Sequence, residues 1–228
     1  MIFSIIVPVF NEEKTILKIL NELKKLNFKK FEKEIIVIND GSTDSTKKIL
    51  NENKDLYDFI YSLETNKGKG SAVKLGLQHT KGEYIVFQDA DLEYDPQDLL
   101  KFEEVFQKLD ADGIIGSRFT YDKYTRSHSI LNKIGNYILT LIFNILYDTT
   151  FTDIYSCYAC FKRELLEVEL LKSEGFEQHA EILCKIVLKG KKFYEVPISY
   201  NGRSHEEGKK IKFYHIFPVI FQIIKGKI

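Results

Sequence analysis

The 228-residue sequence predicts an α/β fold: one mostly parallel sheet with helices on both faces, in a single domain that ends in C-terminal amphipathic helices. Three observations predict it. Apolar, β-rich runs alternate with amphipathic stretches over short connections, the βαβα rhythm that builds parallel sheets. The residues just past each apolar run are strongly polar, as expected where ligands bind at the carboxyl ends of parallel strands. The chain, 44% hydrophobic with only 4 Pro, also has enough apolar material for one sizeable core.

The elements follow in order. Residues 3–9 read as a strand, 12–26 as an amphipathic helix, 34–38 as a strand and 45–51 as a helix. Strand 59–63, helix 71–79, strand 84–88, helix 96–109 and strand 113–117 continue the rhythm, with Pro96 suited to a first helical turn. After Ser117 the rhythm breaks. A polar loop to about Ser127 precedes a long apolar helix over 130–147, a short strand around Tyr158, helices near 164–171 and 178–188, and a strand over 193–200. A polar loop, 201–210, leads to a last amphipathic segment. We place a catalytic domain at 1–212 and an amphipathic, possible membrane-interfacial segment at 213–228.

Composition removes several function classes. Balanced charge, 33 Lys plus Arg against 33 Asp plus Glu, and scarce Pro exclude a disordered, collagenous or disulfide-scaffold protein. Zero net charge gives no global attraction to nucleic acid, and no RNA-binding aromatic motif occurs. Charge is nevertheless uneven: residues 185–228 hold ten Lys or Arg against three Glu, so the C-terminal end is basic and the rest is acidic to the same extent. The N-terminal run lacks a positive flank and meets Pro8 too early for a signal peptide, so it reads as a strand, and a cytoplasmic location is the default expectation. Cys157 and Cys160 form a C-x-x-C that Cys184 and His179 complete on paper as a zinc site, but Tyr155, Tyr158 and Phe161 around them mark core, so buried thiols are expected. The apolar runs 137–147 and 213–224 fall short of the roughly 20 residues that span a bilayer, which leaves core helices or a membrane-interfacial position.

The strand ends carry the chemistry. They read PVFNEE, NDGSTD, TNKGKG, QDADLEYD and GSRF, with neither a dinucleotide G-x-G-x-x-G nor a P-loop. On an extended segment Asp89, Asp91 and Glu93 point the same way and converge, and three such carboxylates repel unless a cation sits between them. Oxygen-only ligands suit Mg2+ or Mn2+, which keep positions open for substrate phosphates. Arginine is scarce, four against 29 Lys, and guanidinium binds phosphate bidentately where lysine cannot. Arg118, Arg126 and Arg203 fall in expected loops, whereas Arg163 precedes a helix and reads as structural. Carboxylates for a metal beside loop arginines indicate two kinds of phosphate, one on each.

The ordered strings IIVPVFNEE, EIIVINDGSTDST, GKGSAVKLGL, QDADLEYDP, GSRF and EVPISYNGRSHEEGKKI resemble glycosyltransferase family 2, in the branch of dolichol-phosphate mannosyltransferase and the polyprenyl-phosphate glycosyltransferases. The resemblance covers about residues 3–212. It implies a GT-A type fold and a nucleotide-sugar site built from Pro8, Phe10, Asn11 and Glu12, with Asp40 and Gly41 at the base and ribose and Lys69 with Gly70 nearby. It places the metal on Asp89 and Asp91 with Glu93 next, the acceptor phosphate on Arg118 and, less directly, Arg126, and the diphosphate near Tyr200 and Arg203. The implied partners are a nucleoside-diphosphate sugar, GDP- or UDP-linked, and a lipid phosphate acceptor, with no nucleic acid, and the implied place is the cytoplasmic face of a membrane. Three departures stand out: Asn39 where many relatives have Asp, His179 and Ala180 in the G-F-x-P-E region, and the lack of C-terminal transmembrane helices.

The expected reaction is an in-line displacement at an anomeric carbon, giving the inverted, β-linked sugar. The metal on Asp89 and Asp91 neutralises the leaving diphosphate, and a lipid phosphate, already anionic, needs no general base. A hydroxyl acceptor, as in diacylglycerol or a saccharide, is the rival; it requires a base, for which Asp153, Glu181 and His179 are the candidates. A non-catalytic nucleotide-sugar binding module is the third reading.

Overall fold

The structure is a computed structural model that describes residues 1–120, 130–203 and 216–228. Seven strands form one sheet in the order β3-β2-β1-β4-β6-β5-β7. β1 (Ile2–Val9) lies between β2 (Glu32–Asn39) and β4 (Tyr84–Phe87), parallel to both, and β3 (Phe59–Ser62) extends β2 in parallel. β6 (Ala159–Lys162) inserts antiparallel between β4 and β5 (Gly113–Ser117), and β7 (Phe193–Pro197) closes the far edge parallel to β5. The expected mostly parallel sheet is therefore present, with one reversed strand.

Phe3, Ile5, Ile6 and Val7 of β1 are all buried, so both faces of the central strand are covered, as continuous apolar strands require. α3 (Lys69–His79) packs on β1 and β2. α1 (Ile16–Lys25) sends Ile16, Ile19, Leu20 and Leu23 into the core at helical spacing. α4 (Leu99–Leu109) is tied to the loop after α1 by its buried Glu103, whose carboxylate accepts from the amides of Lys29, Lys30 and Phe31 at 2.9, 2.6 and 3.0 Å. α2 (Thr46–Glu52), α6 (Gln178–Lys189), α5 (Ile130–Tyr147) and α7 (Ile216–Lys225) complete the covering, and α7 packs against both α5 and α6.

Three expectations need adjustment. The helix expected over 12–26 begins only at Ile16, because Asn11 turns the chain in the left-handed region (φ 51) and residues 12–15 form a turn that closes on the Glu12 carbonyl. Residues 96–98 make a 3₁₀ turn before α4, with Asp95 accepting from the Gln97 amide at 3.0 Å. The stretch 164–171 is two 3₁₀ turns rather than a helix: Leu166 and Glu167 are extended, which buries Leu165, Leu166, Val168 and Leu171 together, a spread wider than one helical face.

Candidate active site

The parallel strands β1, β2 and β4 end at the same edge, and the side chains just past them line one cavity of about 450 Å³. Pro8, Phe10 and Glu12 come from the end of β1, Asp40 from β2, Lys69 from the start of α3, and Asp89, Asp91 and Glu93 from the turn after β4. Asp40 is buried and organises one wall, accepting from the Lys67 and Gly68 amides at 2.8 and 3.0 Å and from Asn66 Nδ2 at 3.1 Å. Asn11, Gly41 and Gly70 are not cavity-lining; they shape it. Asn11 Oδ1 accepts from the Thr43 amide at 2.8 Å, joining the loops after β1 and β2. Gly41 (φ +66) sits where a Cβ would come within 2.5 Å of the Thr65 backbone.

The acidic turn pairs with cations of the chain itself. Lys69 Nζ lies 2.5 Å from Asp89 Oδ1. Burial opposes charge on both groups, yet their mutual attraction outweighs it, holding the lysine well above and the carboxyl below its ordinary range. Arg203 Nη2 lies 2.8 Å from Asp91 Oδ2 and 3.4 Å from Glu12 Oε1. Glu93 is occupied otherwise: it accepts from the Tyr200 hydroxyl and the Arg203 amide, both at 2.8 Å, and so pins the 200–203 segment over the cavity.

The expected convergence of Asp89, Asp91 and Glu93 on one point is therefore not observed. Leu92 takes the left-handed conformation (φ 62), which breaks the alternation after Asp91, and among the described residues no group of three His, Cys, Asp or Glu stands ready to hold a metal. Asp89 and Asp91 still fit a divalent cation. Burial, then the negative charges of Asp89 and Glu93, push the Asp91 carboxyl up to about 7, an unfavourable crowding that a cation between two carboxylates relieves.

Arg118, at the end of β5, faces the same cavity and is bound from behind. Its Nε and Nη2 donate to the two oxygens of the fully buried Asp153 at 2.6 and 2.8 Å, its Nη2 also reaches Asn136 Oδ1 at 3.3 Å, and its guanidinium carbon lies 5.0 Å from the Tyr200 ring centroid. Asp153 also accepts from the Arg118 and Tyr155 amides and from Asn136 Nδ2. Its lone pairs are committed. Glu181 is buried and clamps the Lys172 and Ser173 amides, so two of the three candidate bases for a hydroxyl acceptor are already structural acceptors. Beyond Arg118 the cavity runs between α5 and α7, lined by Leu131, Leu139, Ile216 and Val219.

A family model described as glycosyl transferase family 2 matches residues 4–169. The chain belongs to that family. It is 29% identical over 248 residues to the UDP-N-acetylglucosamine–dolichyl-phosphate N-acetylglucosaminyltransferase of Methanococcus voltae, covering 98% of this chain and 96% of the relative. It is 30% identical over 200 residues to the glycosyltransferase AglJ of Haloferax volcanii, covering 87% of this chain and 63% of that protein. Among solved structures, glucosyl-3-phosphoglycerate synthase from Mycobacterium tuberculosis, in complex with Mn2+, uridine diphosphate and phosphoglyceric acid, superposes with a TM-score of 0.74 at 19% identity, covering 99% of this chain and 78% of that one. The fold is the GT-A type, and the chain is a glycosyltransferase.

Most residues singled out from the sequence thus meet at one cavity, and Arg126 lies outside the described residues, as do the 212/213 boundary and three of the C-terminal basic residues, Lys209, Lys210 and Lys212. Tyr94, Asn136 and Gln178 also line the cavity and were not singled out, and Tyr155, expected in the core, lines it too. Asn136 carries the one usable signal, a polar residue near the middle of an apolar helix. The three cysteines are free and buried, and burial pushes their thiols up, Cys184 to about 11, which agrees with structural thiols rather than zinc ligands. The long apolar helix expected over 130–147 is present with those bounds, and its 18 residues are, by length and composition only, enough to cross a membrane. Asn136, Leu139, Thr140 and Phe143 bury one of its faces in the fold, and Asn136 holds Arg118.

Proposed function

We propose that the chain is a metal-dependent, inverting hexosyltransferase that moves a sugar from a nucleoside-diphosphate sugar to a polyprenyl (dolichyl-like) phosphate at the cytoplasmic face of a membrane. One observation carries the reading: a single cavity runs from the Asp40 wall, past Lys69, Asp89, Asp91 and Arg203, to Arg118, and then between two apolar helices. That order matches the parts of such a reaction, namely nucleoside, diphosphate, phosphate acceptor and lipid chain. The name of the Methanococcus voltae relative supports a UDP-linked donor and a dolichyl-phosphate acceptor.

Asp89 and Asp91 would hold Mg2+ or Mn2+, which when bound supplies charge neutralisation for the leaving diphosphate. The chain's own residues do the rest. Asp40 and its amide neighbours orient the nucleoside, Arg203 adds positive charge beside Asp91, and Arg118, fixed by Asp153 and Asn136, aligns an anionic acceptor for in-line attack. A phosphate acceptor arrives already ionised. A hydroxyl acceptor would need a base, and Asp153 is saturated and Glu181 is tied to the Lys172 and Ser173 amides, while burial and the Lys69 charge push His179 down to about 4.

The reading is tested by binding of UDP against GDP with Mn2+ in calorimetry, followed by transfer of labelled sugar to a polyprenyl phosphate or to the matching polyprenol. We expect transfer to the phosphate alone, a β-linked product, and loss of turnover in EDTA or on Asp91→Ala with the fold intact. Full activity in EDTA removes the metal from the scheme, and transfer to the alcohol favours the hydroxyl reading.

A further inference from the structure

The cavity wall beside Lys69 is the segment 172–179, and several contacts brace it. The Lys172 and Ser173 amides donate to Glu181, the Gly175 amide donates to Glu177 Oε1 at 3.2 Å, and the Tyr155 hydroxyl donates to the Phe176 carbonyl at 3.1 Å. The Gly70 amide donates to the Glu174 carbonyl at 2.8 Å, which docks the segment on the start of α3. A Cβ at Gly70 would meet the Ser173 and Glu174 backbone at 2.6 Å, so the approach is backbone to backbone.

On this frame two side chains at the start of α6 line the cavity with hydrogen-bonding capacity left over. Gln178 is 3% exposed, and its Nε2 has no partner among the described residues. Neither has the buried Nε2 of His179. An unpaired buried polar group costs about 1–3 kcal/mol, so two of them on one cavity wall call for a ligand that pairs them. The unpartnered His179 ring nitrogen accepts or donates a hydrogen bond according to its tautomer. The Gln178 amide offers N–H donors.

We propose that Gln178 and His179 form the subsite that reads the transferred sugar, with Gln178 Nε2 donating to, and His179 Nε2 pairing with, its hydroxyl or acylamino substituents. The inference rests on the donor-site reading above. Position selects the sugar over the other substrate parts: the segment that carries both residues docks on Gly70, next to Lys69, and both line the cavity that Lys69 and Asp89 also line. The nucleoside wall at Asp40 and the apolar α5–α7 channel lie elsewhere along the cavity. Neither side chain brings a charge to attract phosphate, and a sugar ring is the substrate part that presents donors and acceptors together.

The test measures binding by the full chain with Mn2+ of UDP against UDP-glucose and UDP-N-acetylglucosamine, or GDP against GDP-mannose. The variants are Gln178→Leu, His179→Asn, which keeps the Nδ1-side reach but lacks Nε2, and His179→Gln, which restores a polar atom there. We expect free nucleotide to bind each variant within twofold of the parent. The added affinity of the sugar nucleotide should fall about two- to tenfold for each hydrogen bond lost, with partial recovery in His179→Gln. Thermal midpoints of Gln178→Leu should not drop, because an unpaired polar group is removed. Equal losses for nucleotide and sugar nucleotide, or a lower midpoint with an unchanged ratio, assign both residues to the wall and overturn the proposal. A parent chain that binds neither nucleotide overturns the donor site and this subsite with it.

Discussion

The guanidinium that the proposed reaction assigns to the acceptor phosphate, that of Arg118, is also held in the fold. Asp153 is fully buried, and Arg118 meets both its oxygens. Removing one partner of a buried ion pair leaves an uncompensated charge, at a cost of about 3–5 kcal/mol. Arg118→Ala is therefore expected to lower unfolding free energy in urea by that amount, and Arg118→Ala with Asp153→Asn to recover most of it. A loss below about 1 kcal/mol in the single variant is inconsistent with this pairing. Arg118→Lys keeps the charge without the fork, so nucleotide binding should persist while transfer to a phosphate acceptor falls steeply. Asp112 makes a separate, purely structural case. Burial works against its charge, but the Lys191 and Lys192 amides and Lys162 Nζ, at 2.8, 3.1 and 3.0 Å, hold its carboxyl down to about 2. A carboxylate with a depressed folded pKa contributes stability that is complete above its unfolded value near 3.9 and is lost as pH falls toward 2. Asp112→Asn should thus cost roughly 1–2 kcal/mol at pH 7 after solvent screening and flatten the decline between about pH 4 and pH 2. An unchanged acid limb in urea titrations of the variant contradicts the assignment.

At the scale of elements, α5 and α7 leave an outward apolar face that ordinary helix packing does not use. Ile130, Tyr137 and Ile145 of α5 are 72, 68 and 72% exposed, and Phe217 and Phe221 of α7 are 65 and 66% exposed, on helices that pack together and open the cavity between them. Exposed apolar residues concentrated on two packed helices are what an interaction surface presents, with Lys225 and Lys227 at the end of the second helix. We expect the chain to float with anionic liposomes, and Phe217→Ser with Phe221→Ser to weaken that binding at least about tenfold without loss of thermal stability, since each exposed ring stands to bury roughly 2 kcal/mol of apolar surface. No flotation of the parent chain rejects a membrane role for this face. Most elements are legible in the sequence because each is a local pattern, such as the continuous apolar run of β1 or the spacing of Ile16, Ile19, Leu20 and Leu23 in α1. What escapes is non-local. Nothing near Ala159 announces that β6 inserts between β4 and β5, and nothing near Asp91 announces Arg203, 112 positions away, as its partner. The site was legible as a set of strand ends, whereas the turn at Leu92 and the brace on Glu93 are tertiary outcomes.

For the whole molecule, the site is assembled from nearly every part of the chain. The cavity draws on the ends of β1, β2, β4 and β5, on α3, α5, α6 and α7, and on the 200–203 segment that Glu93 and the Tyr94–Tyr200 bridge hold in place. A ligand seated there contacts the core sheet and the C-terminal helices at once, so it stabilises one cooperative unit rather than a lobe. Heating should give a single transition, shifted as a whole by nucleotide with Mn2+. At a ligand concentration about 100 times Kd, linkage adds about 2.7 kcal/mol, which for a chain of this size raises Tm by roughly 5–10 °C. EDTA should remove the part of the shift that depends on Asp89 and Asp91, and Asp91→Ala should match the parent in EDTA. Two resolved transitions, only one of them moving with nucleotide, would separate the C-terminal helices from the catalytic sheet and place the apolar channel outside the unit that binds the donor.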